Sequence, residues 1–173
     1  MADSTIHLPP GWLGGSSRAE DYELRLDNRI SHSGQASAHL RSIVEAPQDF
    51  VTLTQGFLAD DYLDRRLRLT AYIKAEKVEG WAGMWMRVDP REGKARQFDN
   101  MQSRPIRGNS DWQQYQVVLD VPRESLYVYF GVLLHGRGSV WADDFQLEVV
   151  GRDVPTTGAP PLPPQPRNLG FEE

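Results

Sequence analysis

The nine residues from Trp81 to Asp89, Trp-Ala-Gly-Met-Trp-Met-Arg-Val-Asp, form the chemical centre of the chain. In an extended strand they divide by parity, because successive side chains point to opposite faces. Met84, Met86 and Val88 make an ordinary core face. Trp81, Trp85, Arg87 and Asp89 share the other with Gly83. Two indoles, a guanidinium and a carboxylate are unusual for a plain solvent face. A sugar ring has apolar C–H faces and a rim of hydroxyls, which such rings and polar groups suit. By the same parity Asn100, Gln114, Tyr127, Tyr129 and His135 are candidates to join Trp81, Trp85 and Arg87 on one ligand-binding surface, with Tyr72, Lys74 and Gln116 facing the same concavity. Two bland alternatives stand beside this reading. The indoles can serve packing under a loop, and Arg87 with Asp89 can be an exposed ion pair.

Asp143 is the second residue of interest. The parity of the last strand places Trp141, Phe145, Leu147 and Val149 inward, and Asp143 falls among them while Asp144 points away. A buried carboxylate is costly unless it is paired, hydrogen-bonded or metal-bound. Structural Ca2+ is one solution, with loop carbonyls completing the oxygen cage. The favoured solution is structural, with Asp143 accepting backbone N–H bonds or pairing with an Arg at the strand's start, and a bulge at Asp143–Asp144 would exchange their directions.

Catalytic signatures are missing. There is no Gly-x-Ser-x-Gly, phosphate loop or His-Glu-x-x-His, and the four His lack metal-ligand spacing. Asp60-Asp61 and Asp143-Asp144 are neighbours whose side chains diverge on a strand, so neither pair is an acid–base couple. The expectation is a module that is not an enzyme.

The elements that position these residues are short strands. Tyr22–Leu26, Ala38–Arg41, Val51–Phe57, Leu67–Lys74, Trp81–Asp89, Phe98–Met101, Tyr115–Val121, Leu126–Leu134 and Val140–Val150 alternate apolar with polar residues, with turn signals between them. Glu76–Gly80 reads as a charged loop, and residues 1–20 as irregular, with Trp12 a lid on the core. No helix of real length is predicted. The pattern is all-β, an antiparallel sandwich or barrel of Greek-key or jelly-roll type. Residues 1–152 make one domain. Residues 153–173 are a Pro-rich linker and tail.

Composition narrows the partners. The formal net charge is -5 with no basic block, which argues against nucleic acid. No apolar run has the length of a membrane span, and the first residues lack the basic and apolar regions of a secretory signal. With no Cys, disulfides and thiolate metal sites are excluded, and a cytoplasmic location is the expectation.

Several stretches resemble a galactose-binding-domain-like jelly roll, a β-sandwich of two antiparallel sheets found in many carbohydrate-binding modules. They are Gly11-Trp12, Ser31-His32-Ser33-Gly34 with Ser37-Ala38, Gln55-Gly56-Phe57, Leu67–Lys74, Trp112-Gln113-Gln114-Tyr115 and Gly138-Ser139-Val140-Trp141-Ala142-Asp143-Asp144-Phe145. The resemblance covers residues 11–150. With Trp81–Asp89 and Phe98-Asp99-Asn100-Met101 it is similar to uncharacterised modules appended to bacterial regulators and other enzymes. It implies a carbohydrate or polyol ligand, or a protein-interaction or effector-sensing role in a larger protein. Such modules open with Asn-x-x-Phe-Glu, whose Glu can join the final-strand Asp at Ca2+. Here that motif stands at the other end, Asn168-Leu169-Gly170-Phe171-Glu172. The resemblance therefore implies Asp143 with Glu172 as metal ligands. The tail is then the start of a further module, a disordered end, or a returning first strand, in cis or exchanged between protomers.

Overall fold

The computed structural model describes residues 8–94, 96–158 and 165–171. Among the described residues, nine antiparallel strands account for nearly all regular structure. They are β1 (Leu13–Ser16), β2 (Tyr22–Asp27), β3 (Ser37–Ser42), β4 (Phe50–Leu58), β5 (Arg65–Pro90), β6 (Gln97–Asp99), β7 (Ile106–Val121), β8 (Ser125–His135) and β9 (Ser139–Val150). Two single 3-10 turns, Ala19–Asp21 and Asp60–Tyr62, complete the inventory.

β5 organises the molecule. At about 3.3 Å per residue its 26 residues would run roughly 86 Å if straight, so the strand must bend. Its first half pairs with β9 from Arg66 to Glu76, and β3 and β2 follow beyond β9. Its second half pairs with β8 from Trp81 to Pro90, and β4 and β1 follow beyond β8. One strand thus belongs to two layers. The changeover falls at Glu76–Trp81, where the register against β7 shifts repeatedly and Lys77 has a φ of 52°. Gly80 is required at this corner, because a Cβ there would lie 2.0 Å from the His135 carbonyl oxygen. Charge and glycine suggest a loop at 76–80; the structure keeps this stretch in a bent strand. β1 lies within residues 1–20, expected to be irregular, and β7 begins at Ile106, nine residues before the strand expected from Tyr115.

The corner also changes the inward parity. Leu67, Leu69, Ala71 and Ile73 are sealed in the first layer; Ala82, Met84 and Met86 are sealed in the second. They meet Leu24, Leu40, Val117, Leu119, Val132, Leu134 and Val140 in one core. Trp12 sits on this core, its ring centroid 5.4 Å from Phe130 and 5.0 Å from Phe145.

β9 corrects the expected parity. Val140 and Ala142 point inward, opposite Ala75 and Ile73, whereas Trp141 pairs with Lys74 on the outer face. Between Asp143 and Gln146 the strand carries one more residue than β5 does, and Asp144 has a φ of 53°. This bulge resets the alternation, so that Phe145 and Leu147 face the core. Trp141 is nonetheless buried, stacked on His39 at 4.3 Å with its indole N–H donating to Asp27 Oδ2 at 3.0 Å.

After β9 the chain stays against the domain as far as Gly158. The Thr157 amide donates to the Val118 carbonyl, and the Val118 amide donates to Thr157 Oγ1. Thr157 also donates to Asp99.

Candidate functional site

The outer face of the second layer carries a cleft of about 570 Å³. Three neighbouring strands, β4, β8 and β5, lay down its floor in rows. Phe50, His135 and Trp81 form one row, Thr52, Leu133 and Gly83 the next, then Thr54, Gly131 and Trp85, then Gly56, Tyr129 and Arg87. Phe98 and Asn100 line the cleft from β6 and the residue after it.

The rings can lie across this floor because glycines make space. Trp85 reaches across β8, where Gly131 has no side chain, and its indole N–H donates to Thr52 Oγ1 at 3.0 Å. The Tyr129 ring lies over Gly56, where a Cβ would approach a ring carbon to 2.6 Å. Trp85 is only 9% exposed, so it is mostly packing with one surface on the cleft. Trp81 is half-buried and lies near-parallel to His135, centroids 6.4 Å apart. The indoles therefore border an open groove.

Polar groups rim the rings. Arg87 Nε donates to Asp89 Oδ1 at 2.8 Å, and the guanidinium lies 5.1 Å from the Tyr129 ring centroid. The expected ion pair and a place in the cleft are both realised in Arg87. Asn100 is held by the turn after β6. A Cβ at Gly83 would meet its carbonyl oxygen at 2.7 Å, so glycine lets the turn close on β5. Asp99 anchors the turn through a two-pronged pairing with Arg104 and by accepting the Met101 amide. Burial opposes its charge, but the hydrogen bonds from Arg104, Thr157 and Met101 outweigh that and hold its carboxyl below the usual range.

The structure thus gathers Trp81, Trp85, Arg87, Asn100, Tyr129 and His135 around one cleft. Tyr127 lies one row beyond, exposed and 5.8 Å from Tyr129. Gln114 lies elsewhere. It pairs with Tyr72 in the first layer, on the outer face that also carries Lys74 and Gln116. Parity assigns a side chain to one face of a strand but does not say which layer the strand joins. Phe50, Thr52, Thr54, Leu133 and Phe98 line the cleft without having been singled out from the sequence. For the β4 residues the usable signal was their alternation with buried Val51 and Leu53.

The first layer's outer face has its own polar cluster at the bulge. Asp143 Oδ2 accepts the amides of His32 at 2.9 Å and Ser33 at 3.2 Å, and its Oδ1 accepts the Asp144 amide at 2.8 Å. Asp144 binds His32 Nδ1 at 2.6 Å and Ser33 Oγ at 2.7 Å. These hydrogen bonds from His32 and Ser33 keep the Asp144 carboxyl below its ordinary range. Asp143 thus accepts three backbone N–H groups. Among the described residues no three His, Asp or Glu side chains gather as a metal site. Glu172 lies outside the described residues.

No family model matches the chain. It is 42% identical over 167 residues to an uncharacterised HTH-type transcriptional regulator, YbfP, of Bacillus subtilis strain 168, a match covering 94% of this chain. The chain spans 57% of that relative's length. Among solved structures it resembles the CBM22-1 xylan-binding domain of Paenibacillus barcinonensis Xyn10C, with a TM-score of 0.56 and 16% identity over 81% of this chain and 86% of that one. The C-terminal family 22 carbohydrate-binding module of Clostridium thermocellum Xyn10B gives 0.57 and 14%, over 82% and 87%. TmCBM61, solved with β-1,4-galactotriose, gives 0.52 and 14%, over 82% and 90%. At these identities the likeness is one of fold. Strand order and these neighbours agree that the chain has a β-jelly-roll fold, the architecture it shares with these carbohydrate-binding modules.

Proposed function

We propose that this domain is a non-catalytic binding module that takes an uncharged carbohydrate or similar polyol in the β4–β8–β5 cleft. The observation that carries this reading is the cleft itself: flat aromatic surfaces beside amide, hydroxyl and guanidinium groups. Arg87 is already matched by Asp89, which favours a neutral ligand over an acidic one. No reaction is assigned, since the described cleft lining holds no carboxylate and glycoside hydrolysis uses two. The fold shared with modules described as binding xylan and galactotriose supports the ligand class; fold alone does not fix it.

Titration calorimetry with neutral xylo- and galacto-oligosaccharides tests the proposal. Trp81→Ala and Tyr129→Ala are each expected to weaken binding by about tenfold or more, near 1.4 kcal/mol. Unchanged affinity in the double variant would place the ligand elsewhere. A second reading rests on the 42% identity to a regulator of which this chain spans 57%. In it the module senses an effector, or docks a protein, for a DNA-binding partner domain. Light scattering with and without sugar separates the cases: a sugar-independent dimer that buries Trp81 favours protein docking.

A further inference from the structure

The two sheets leave one seam of the sandwich open. β3 pairs with β9 only through Ser139–Ala142, yet β9 runs on to Val150. β1 pairs with β4 only through Val51–Thr54, yet β4 runs on to Leu58. No strand among the described residues pairs with these outer edges, and within those residues both layers leave backbone groups unpaired along the same seam. Between them lies a groove of about 620 Å³ that reaches core residues Leu69 and Phe130 and is walled by Trp12, Phe57, Phe145 and Leu147.

The chain carries a segment shaped for this groove. Leu169 is 76% exposed and Phe171 is 94% exposed. They are two residues apart, so in a strand both would point to one face while Asn168 and Gly170 point to the other. Their present arrangement is a turn closed by the Phe171 amide on the Asn168 carbonyl, with Phe171 at a φ of 59°, a region a bulky residue rarely occupies. Reach is no obstacle. From Gly158, which lies against Phe98 and Leu119, ten residues span up to roughly 33–36 Å, about the domain's own width.

We propose that residues 168–171 add, within the same chain, as an edge strand beside Phe145–Val150 of β9, with Leu169 and Phe171 entering the groove. Main-chain bonds to the free edge and two apolar side chains in the slot are what strand addition uses. This inference is independent of the carbohydrate reading.

Amide hydrogen exchange on the full chain, compared with the Leu169→Asp/Phe171→Asp variant, tests it. The β9 edge amides that do not bond to β5 are expected to be protected in the unsubstituted chain. They should exchange about tenfold or more faster in the variant, with a lower Tm. Circular dichroism confirms that the variant stays folded, and Gly170→Ser, on the opposite parity, should behave as the parent does. Three results overturn the proposal. One is edge amides exposed in the parent. Another is protection that survives the double substitution, which assigns the edge to another segment. The third is protection that rises with protein concentration, which assigns it to a second copy.

Discussion

His39 shows how a single side chain sets a pH dependence. It is 5% exposed, stacked on Trp141, and neither ring nitrogen has a hydrogen-bond partner among the described residues. Burial, reinforced by Arg25 and Arg41, lowers its pKa from 6.5 to about 4, with Asp27 opposing. The folded protein keeps the ring neutral while the unfolded chain takes a proton near pH 6.5. Its contribution is therefore intact above about pH 6.5 and is lost as pH falls towards about 4. The loss is on the order of 3 kcal/mol. Urea melts at pH 7 and pH 4.5 should show this drop, and His39→Phe, which keeps a ring against Trp141, should reduce it. A variant with the parent's pH slope would assign the effect to other groups. Trp85 and Trp81 differ at the same scale. Removing a buried Trp costs about 3–5 kcal/mol, so Trp85→Ala would confuse folding with binding. Half-buried Trp81 would report on the proposed ligand more cleanly.

Among the elements, the corner of β5 is the most constrained. Gly80→Ala should destabilise the domain by on the order of 1–3 kcal/mol, because its new carbon meets the His135 backbone. Gly15→Ala, whose added carbon meets only a methyl at 3.7 Å, should change little in the same denaturant titration. At the β9 bulge, calcium followed by chelation is expected to leave Tm unchanged, since Asp143 is occupied by amides. A calcium-dependent rise would show a site beyond these contacts. The same two elements mark where sequence reading stops. Alternation identified the inward residues of Leu67–Ile73 and Met84–Val88 because each run lies within one layer. It missed that these runs are one strand, since the corner depends on a close approach between Gly80 and His135, distant in sequence. It misassigned Trp141 because one extra residue at Asp143–Asp144 reverses every direction before it. Gln114 was grouped with the cleft because equal parity on strands of different layers looks identical in a linear chain.

For the whole molecule, the long strand has a further consequence. β5 supplies Trp81, Trp85 and Arg87 to the cleft and Leu67–Ile73 to the opposite sheet without a break. Neither layer can peel away without disturbing the backbone of the other, so heat should melt the domain in one cooperative transition. A guest held by Trp81 would raise that single melting point as its concentration exceeds Kd. A thermometer and a panel of sugars would therefore be a sensitive detector of the proposed carbohydrate guest.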